Sequence, residues 1–308
     1  MLGLLACSSA QATPAPATQP VASPVNTASA TATLSPTPSA SPTPSLTATP
    51  SPTPTISPLN LQPQLVVLAE NLPEPDDLAL APDGSIYVSD VTEGTIKRYT
   101  PQGGLTPVLS GLSVPEGMAF PPDGSMIIAE QGKNRLLRYD PASGSLTTLL
   151  DLVNRTSNQG VDGILWDGSH LIVPDSPNGT VLEVSLDGSQ VRQLAAGLTR
   201  PTGAWAEPDG SLLIADEYGN AVFRLHPDGS LEKIGSFSIP DDAIEDAAGN
   251  IFVATLGDDA VHVILAGSGQ DVVLASGLSN PQGLAFDGQG NLIVTDPGHH
   301  RLIKLVIH

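Results

Sequence analysis

The stretch Pro82-Asp83-Gly84-Ser85-Ile86-Tyr87-Val88 joins a tight turn to a short β-rich run, and the chain returns to it five more times. The turns recur at Pro122-Asp123-Gly124, Asp167-Gly168, Pro208-Asp209-Gly210, Gly249-Asn250 and Gly290-Asn291, at spacings of 40, 44, 42, 39 and 41 residues. Each leads into an apolar run, such as Ser125-Met126-Ile127-Ile128 or Asn291-Leu292-Ile293-Val294. An acid closes most of the runs (Asp90, Glu130, Asp175, Asp216 and Asp296), with Thr255 as the exception. A short loop then reaches an alternating strand such as Thr95-Ile96-Lys97-Arg98-Tyr99. A second turn, Pro101-Gln102-Gly103-Gly104, leads to a fourth strand over Leu105 to Leu109. A period of this length marks a repeat architecture, in which one unit cannot bury its apolar face without a neighbour. Four strands per repeat, with no helical period, describe a propeller blade. The expected fold class is all-β, a six-bladed β-propeller of four-stranded antiparallel blades.

The ends of the repeat array predict how the ring closes. The last repeat stops after a third strand, Arg301 to Ile307, and an orphan strand, Gln64 to Ala69, precedes the first. Pairing the two completes the sixth blade and removes an exposed sheet edge.

Outside the repeats the composition changes. The chain has 308 residues, with 32 acidic and 12 basic side chains, a formal charge of −20 and one cysteine. No charged residue precedes Glu70, and Ser8 to Pro58 is almost wholly Ser, Thr, Ala and Pro, with 12 prolines. Such a tract cannot bury enough apolar surface to offset its ordering entropy. The expected organisation is a partial lipoprotein signal over residues 1–7, a disordered Pro/Thr/Ser-rich linker over 8–59, and the propeller over 60–308. The acidic excess argues against nucleic acid, whose binders neutralise phosphate with Lys and Arg. It equally argues against a polybasic membrane contact. One cysteine forms neither an internal disulfide nor a cysteine-based zinc site.

Leu4-Leu5-Ala6-Cys7 resembles a bacterial lipobox. That resemblance implies lipidation at Cys7, an extracytoplasmic location on the bacterial cell envelope, and membrane contact only through the lipid anchor. No basic segment precedes the motif and its apolar stretch is short for a signal core, so translation is expected to start upstream of Met1.

The chemistry is expected where each innermost strand begins, at the central channel. Two positions there carry information in every repeat. The first reads Asp76, Glu116, Asp162, Thr202, Asp241 and Gln282, and the second reads Asp77, Gly117, Gly163, Gly203, Asp242 and Gly283. Six of these twelve are carboxylates and none is basic. Converging carboxylates raise one another's pKa values, and a cation relieves the cost. An all-oxygen donor set suits a hard divalent metal, Ca²⁺ first, with Mg²⁺ or Mn²⁺ as alternatives. The second ring of acids, Asp90 to Asp296, recurs so regularly that it reads as structural, each acid bonding its adjoining loop. Trp166 and Trp205 read as blade packing. His299-His300 reads as part of the repeat rather than a metal site.

Asp296-Pro297-Gly298-His299-His300-Arg301-Leu302 and Glu130-Gln131-Gly132-Lys133-Asn134-Arg135-Leu136 are similar to the NHL repeat. Pro115-Glu116-Gly117-Met118-Ala119-Phe120, continuing to Asp123-Gly124, resembles the SMP-30/gluconolactonase/strictosidine-synthase-like superfamily. The second resemblance implies a divalent metal at the channel mouth. By position, the family's metal-binding Asp falls on Asp241 and its Glu on Asp76, whereas Glu116-Gly117 keeps the Glu-Gly pair one blade later. Gln159-Gly160-Val161-Asp162-Gly163 is similar to an Asn-Asp-Gly motif with Val161 in place of Asn, and the family's asparagine ligands have no counterpart. The expected metal ligands are Asp76, Glu116, Asp162 and Asp241. The expected catalytic groups are Asp241 and Asp162, either of them serving as general base in a lactone or ester hydrolase.

Two other readings stay open. One is a non-enzymatic NHL-type propeller that binds a ligand or protein at the mouth. The other is a quinone-cofactor sugar dehydrogenase, since Arg200-Pro201-Thr202-Gly203 resembles those propellers; it ranks last, because an anionic quinone needs cationic neighbours and this mouth has few. The protein is expected to act as a monomer on a small-molecule substrate or protein ligand.

Overall fold

The computed structural model describes residues 58–153 and 160–308. Cys7, residues 8–57 of the Pro/Thr/Ser-rich tract and Gln159 lie outside the described residues. The repeats form six four-stranded antiparallel sheets. Blade one comprises Pro75–Leu80, Ile86–Asp90, Thr95–Thr100 and Gly104–Ser110. Blades two to five repeat this plan, with innermost strands Pro115–Ala119, Leu165–Trp166, Pro201–Ala206 and Pro240–Glu245. Blade six takes Leu284–Phe286, Leu292–Asp296 and Arg301–Val306 from the C-terminal end and Gln64–Glu70 from the N-terminal side. The closing pair runs antiparallel, from Gln64 opposite Val306 to Glu70 opposite Arg301.

The turn chemistry explains the period. In Pro82-Asp83-Gly84 the glycine takes φ +79°, which only a residue without Cβ adopts freely. The Asp83 carboxylate accepts the Ser85 backbone N–H at 3.0 Å, an Asx turn that delivers the chain into the second strand. Asp123 and Asp209 repeat the contact with Ser125 and Ser211.

Second strands such as Met126–Glu130 are buried along their whole length. Their side chains alternate between two neighbours, as a period of two requires. Ile127 packs with Val161, Leu171 and Val173 of the blade-three side, whereas Ile128 packs with Ile96 of blade one. Six apolar clusters result, each between two consecutive blades, the last joining Ile293 and Leu302 of blade six to Leu78 and Val88 of blade one. Each fully buried Ile or Leu contributes about 1.5–3 kcal/mol.

The acids that end the second strands hold the loops beside them. Glu130 accepts the Ser113 N–H at 2.9 Å, Asp216 the Arg200 N–H at 2.7 Å and Asp296 the Ser279 N–H at 2.7 Å. His299 Nδ1 contacts Asp296 at 3.0 Å, and His300 Nδ1 meets the Pro73 carbonyl at 2.7 Å, latching blade six to the loop before blade one.

Candidate functional site

The innermost strands do not pair regularly at their starts. The register breaks between Pro75 and Leu78, Pro115 and Met118, Pro201 and Ala204, and Pro240 and Ala243. A bulge of this kind re-aims side chains. It frees two consecutive residues per blade from the ladder, so that both can face the channel.

Neighbouring blades touch through the same residues. The N–H of Gly117 donates to the Asp162 carbonyl at 3.2 Å, that of Gly163 to the Thr202 carbonyl at 3.0 Å, and that of Gly283 to the Asp76 carbonyl at 3.3 Å. The glycines permit this approach: a Cβ on Gly163 would lie 2.5 Å from the Thr202 oxygen, and one on Gly117 2.6 Å from the Ile164 nitrogen. Blades one and five carry Asp77 and Asp242 at the position where the other four have glycine.

The first-position acids converge. Ligand oxygens of Asp76, Glu116 and Asp162 lie within 4.8 Å of one another, and all three residues are buried. Burial pushes the Asp76 carboxyl up to about 6, although hydrogen bonds from Glu116 and Gln282 favour its charge. Burial, then the charge of Asp76, raises Glu116 well above the usual carboxylate range. Its Oε2 is buried without a hydrogen-bond partner. Asp241 is also buried and raised, by burial first and then by Asp162 and Asp76. Among the described residues it makes no ion pair.

Arg200 brings to the cluster a cation that none of the twelve strand-start positions supplies. Its guanidinium reaches from blade four to Asp162 Oδ2 at 2.5 Å and pairs with Glu217, with its Cζ 5.3 Å from the centre of the Tyr218 ring. Gln131 Nε2 adds a 3.3 Å contact to the same Asp162 oxygen. Gln131 and Glu217 lie one place after the second-ring acids, and Arg200 lies two places before Thr202, just ahead of the proline of its strand. Their signal was that loops between second and third strands share the face of the strand-one starts. Burial still raises Asp162 against the pull of Arg200.

Below the acid cluster the channel widens into a cavity of about 390 Å³. Asp77, Asp162, Asp241 and Asp242 line its inner end, and Leu80, Phe120, Trp166, Trp205 and Phe286 line the end nearest the turns between first and second strands. The outer side chains are partly exposed and Pro82 at the rim is exposed, so the cavity opens on the face opposite the acid cluster. This adds a second role to the blade packing of the tryptophans. Trp166 and Trp205 do pack on the blade cores, but they also present surface to the channel. It also separates the acids into two levels, because Asp77 and Asp242 face the cavity while Asp76 and Glu116 meet in the cluster above it.

Residues 77–296 match the family model described as the SMP-30/Gluconolactonase/LRE-like region. The chain belongs to this family. No curated protein matches the sequence. Among solved structures, a gluconolactonase of Xanthomonas campestris superposes with a TM-score of 0.67 at 19% identity, covering 79% of this chain and 89% of that one. Virginiamycin B lyase of Staphylococcus aureus superposes with a TM-score of 0.62 at 14% identity, covering 80% and 99%. A structure described as a putative gluconolactonase gives 0.66 at 20% identity, covering 80% and 92%. At these identities the similarity establishes the propeller, and chemistry must be argued from the site. Within the SMP-30/gluconolactonase-like propeller, the donor set at Asp76, Glu116 and Asp162 fits a divalent metal: it is all oxygen, buried, mutually repelling, and includes the unpartnered Glu116 Oε2.

Proposed function

We propose that the protein is a divalent-cation-dependent lactone or ester hydrolase, with Asp76, Glu116 and Asp162 as metal ligands and Asp241 as general base. The observation that carries this reading is the convergence of three buried carboxylates within 4.8 Å, one of whose oxygens has no protein partner. Ca²⁺ is the expected ion, with Mg²⁺ and Mn²⁺ as the alternatives. When bound, the ion supplies Lewis-acid polarisation of an ester carbonyl. The side chains divide the remaining work. Arg200 and Gln131 occupy and fix Asp162 Oδ2, so it serves as ligand. Asp241, without an ion-pair partner among the described residues, takes a proton from the attacking water. The water oxygen bonds to the carbonyl carbon, the bond from that carbon to the ring or ester oxygen breaks, and the proton held by Asp241 passes to the departing oxygen.

Calorimetry with Ca²⁺ on the full chain tests the reading. Wild type is expected to bind, Glu116→Gln to bind at least about tenfold more weakly, and Asp241→Asn to bind while losing turnover in a lactone and ester screen. Absence of binding heat in folded wild type would overturn it and leave the non-enzymatic binding propeller. We also propose lipid anchoring through Cys7 at the bacterial cell envelope, on the strength of Leu4-Leu5-Ala6-Cys7, with the propeller acting as a monomer. Cys7→Ser is expected to move the protein from the membrane to the soluble fraction, and sedimentation reads the monomer.

A further inference from the structure

We propose that His262 is a proton-operated latch behind the channel mouth: as an imidazolium it bridges Asp258 and Asp271, and losing one proton releases the loop that holds the entry to Asp241. The inference concerns blade five alone and stands whether or not the acid cluster catalyses hydrolysis.

Blade five departs from the repeat at this place. Its second strand, Ile251–Thr255, ends in Thr255 where the other blades end in an acid. The acid comes three residues later, as Asp258 in the following loop. His262 lies on the third strand, Ala260–Ile264, and is 9% exposed. Its Nε2 is 2.9 Å from Asp258 Oδ2, and its Nδ1 is 3.0 Å from Oδ1 of Asp271, the first residue of the outer strand. These two acids are the charged groups that face the ring. The second strand sets Val253 opposite it, the outer strand sets Val273, and the segment leaving blade four sets Phe237 edge-on at 5.6 Å between centroids.

A carboxylate accepts hydrogen bonds and cannot donate them. Two carboxylates on the two ring nitrogens therefore require two N–H groups, and only the imidazolium has both. Burial opposes the charge, but the hydrogen bonds to Asp258 and Asp271 outweigh it and hold the ring above the ordinary imidazole value of about 6.5. The bridge is complete below about pH 6.5 and is lost as pH rises through the raised value. The neutral ring has one N–H. Asp258 keeps a second donor in the Thr255 hydroxyl, whereas the ring is the only side-chain donor to Asp271 among the described residues. The remaining proton therefore stays on Nδ1, and Asp258 is released.

The loop freed in this way supports the mouth. The N–H groups of Leu256 and Gly257 donate to the Ile239 and Ser238 carbonyls at 2.9 and 3.0 Å. Ile239 takes φ +52°, a strained conformation for a β-branched residue that persists only where the surroundings fix it. Asp241 stands two residues on. Blade two has the same pair of bonds, from Gln131 and Gly132 to Val114 and Ser113, and Val114 takes φ +50°, but Leu137 stands in place of His262. It is a control without a latch inside the same molecule.

Long-range proton–nitrogen NMR spectra of the full chain, with His262 assigned through its backbone, read the protonation of the ring. Amide hydrogen exchange reads the loop, as protection factors that remove the intrinsic pH dependence. The expected results are an imidazolium that titrates above its midpoint in the urea-unfolded chain and an Nδ1–H tautomer beyond it. Protection at Leu256 and Gly257 is expected to fall at least about tenfold across the midpoint, while Gln131 and Gly132 stay constant and the fall disappears in His262→Gln. A ring neutral below the unfolded-chain midpoint, an Nε2–H tautomer, a folded variant that keeps the fall, or loop amides that follow those of blade two overturns the proposal. If the variant fails to fold, the comparison of the two loops in wild type decides the question by itself.

Discussion

Replacing Asp76 by Asn should stabilise the metal-free protein, although it removes a residue from the candidate active site. Asp76 is 8% exposed, and its carboxyl is raised from 3.8 to about 6, chiefly by burial. The folded protein therefore holds this proton more tightly than the unfolded chain. The associated stability is fully present below about pH 4 and is lost as pH rises through about 6. At about 1.36 kcal/mol per pKa unit, carrying the charge on Asp76 costs the folded state roughly 3 kcal/mol at pH 8. Asn cannot ionise and avoids that cost. In chelator at about pH 8, Asp76→Asn should therefore melt roughly 6–12 °C above wild type, with the gap closing toward about pH 4. Adding Ca²⁺ at about a hundredfold over its Kd should return about 2.7 kcal/mol to wild type and nothing to the variant, nearly erasing the gap. Differential scanning calorimetry of both proteins across this range is the assay. A variant less stable than wild type in chelator at about pH 8 would refute the reasoning, since Asp76 would then be net stabilised by its surroundings.

Further outcomes follow from the same geometry. Arg200→Leu removes the guanidinium shared by Asp162 and Glu217 and should cost about 3–5 kcal/mol in thermal unfolding, the loss expected when buried charges are left unpaired. Gly163→Ala sets a Cβ 2.5 Å from the Thr202 carbonyl, a backbone atom that cannot swing aside, and should cost about 1–3 kcal/mol by the same measure. Removing Gln64–Glu70 bares the outer edge of Arg301–Val306 and should produce self-association visible in size-exclusion chromatography. A cooperative, monomeric deletion variant would contradict the closure.

Much of this architecture was legible because it rests on local chemistry. Asp-Gly turns and uninterrupted runs such as Met126-Ile127-Ile128 state where a second strand begins and that both its faces are covered. The orphan strand before Glu70 could be assigned because an unpaired edge needs a partner and Arg301–Val306 had one side open. The acids of the cluster were legible as residue types at equivalent positions. Their division into two levels was not, because it depends on bulges whose register is visible only once strands pair. The pairing of Arg200 with Asp162 was not legible for a related reason. The long Arg200 side chain crosses to blade three, and no sequence spacing encodes the direction of a flexible side chain. The tryptophans were assigned one role when they hold two, since a side chain at a strand end can pack on a blade with one edge and face the channel with the other.

The closing strand has a consequence for biosynthesis. Asn60 and Val306 are in contact across 246 residues of sequence. At about 5–20 residues per second, the segment that leaves the ribosome early waits roughly 10–50 s for its partner to be made. Throughout that interval the outer strand of blade six has none of its three sheet partners, and the blade-one face of Leu78 and Val88 lacks Ile293 and Leu302. The nascent chain thus carries a sticky strand near one end and a bare apolar wall beside it, and ring closure is a late event rather than a gradual one.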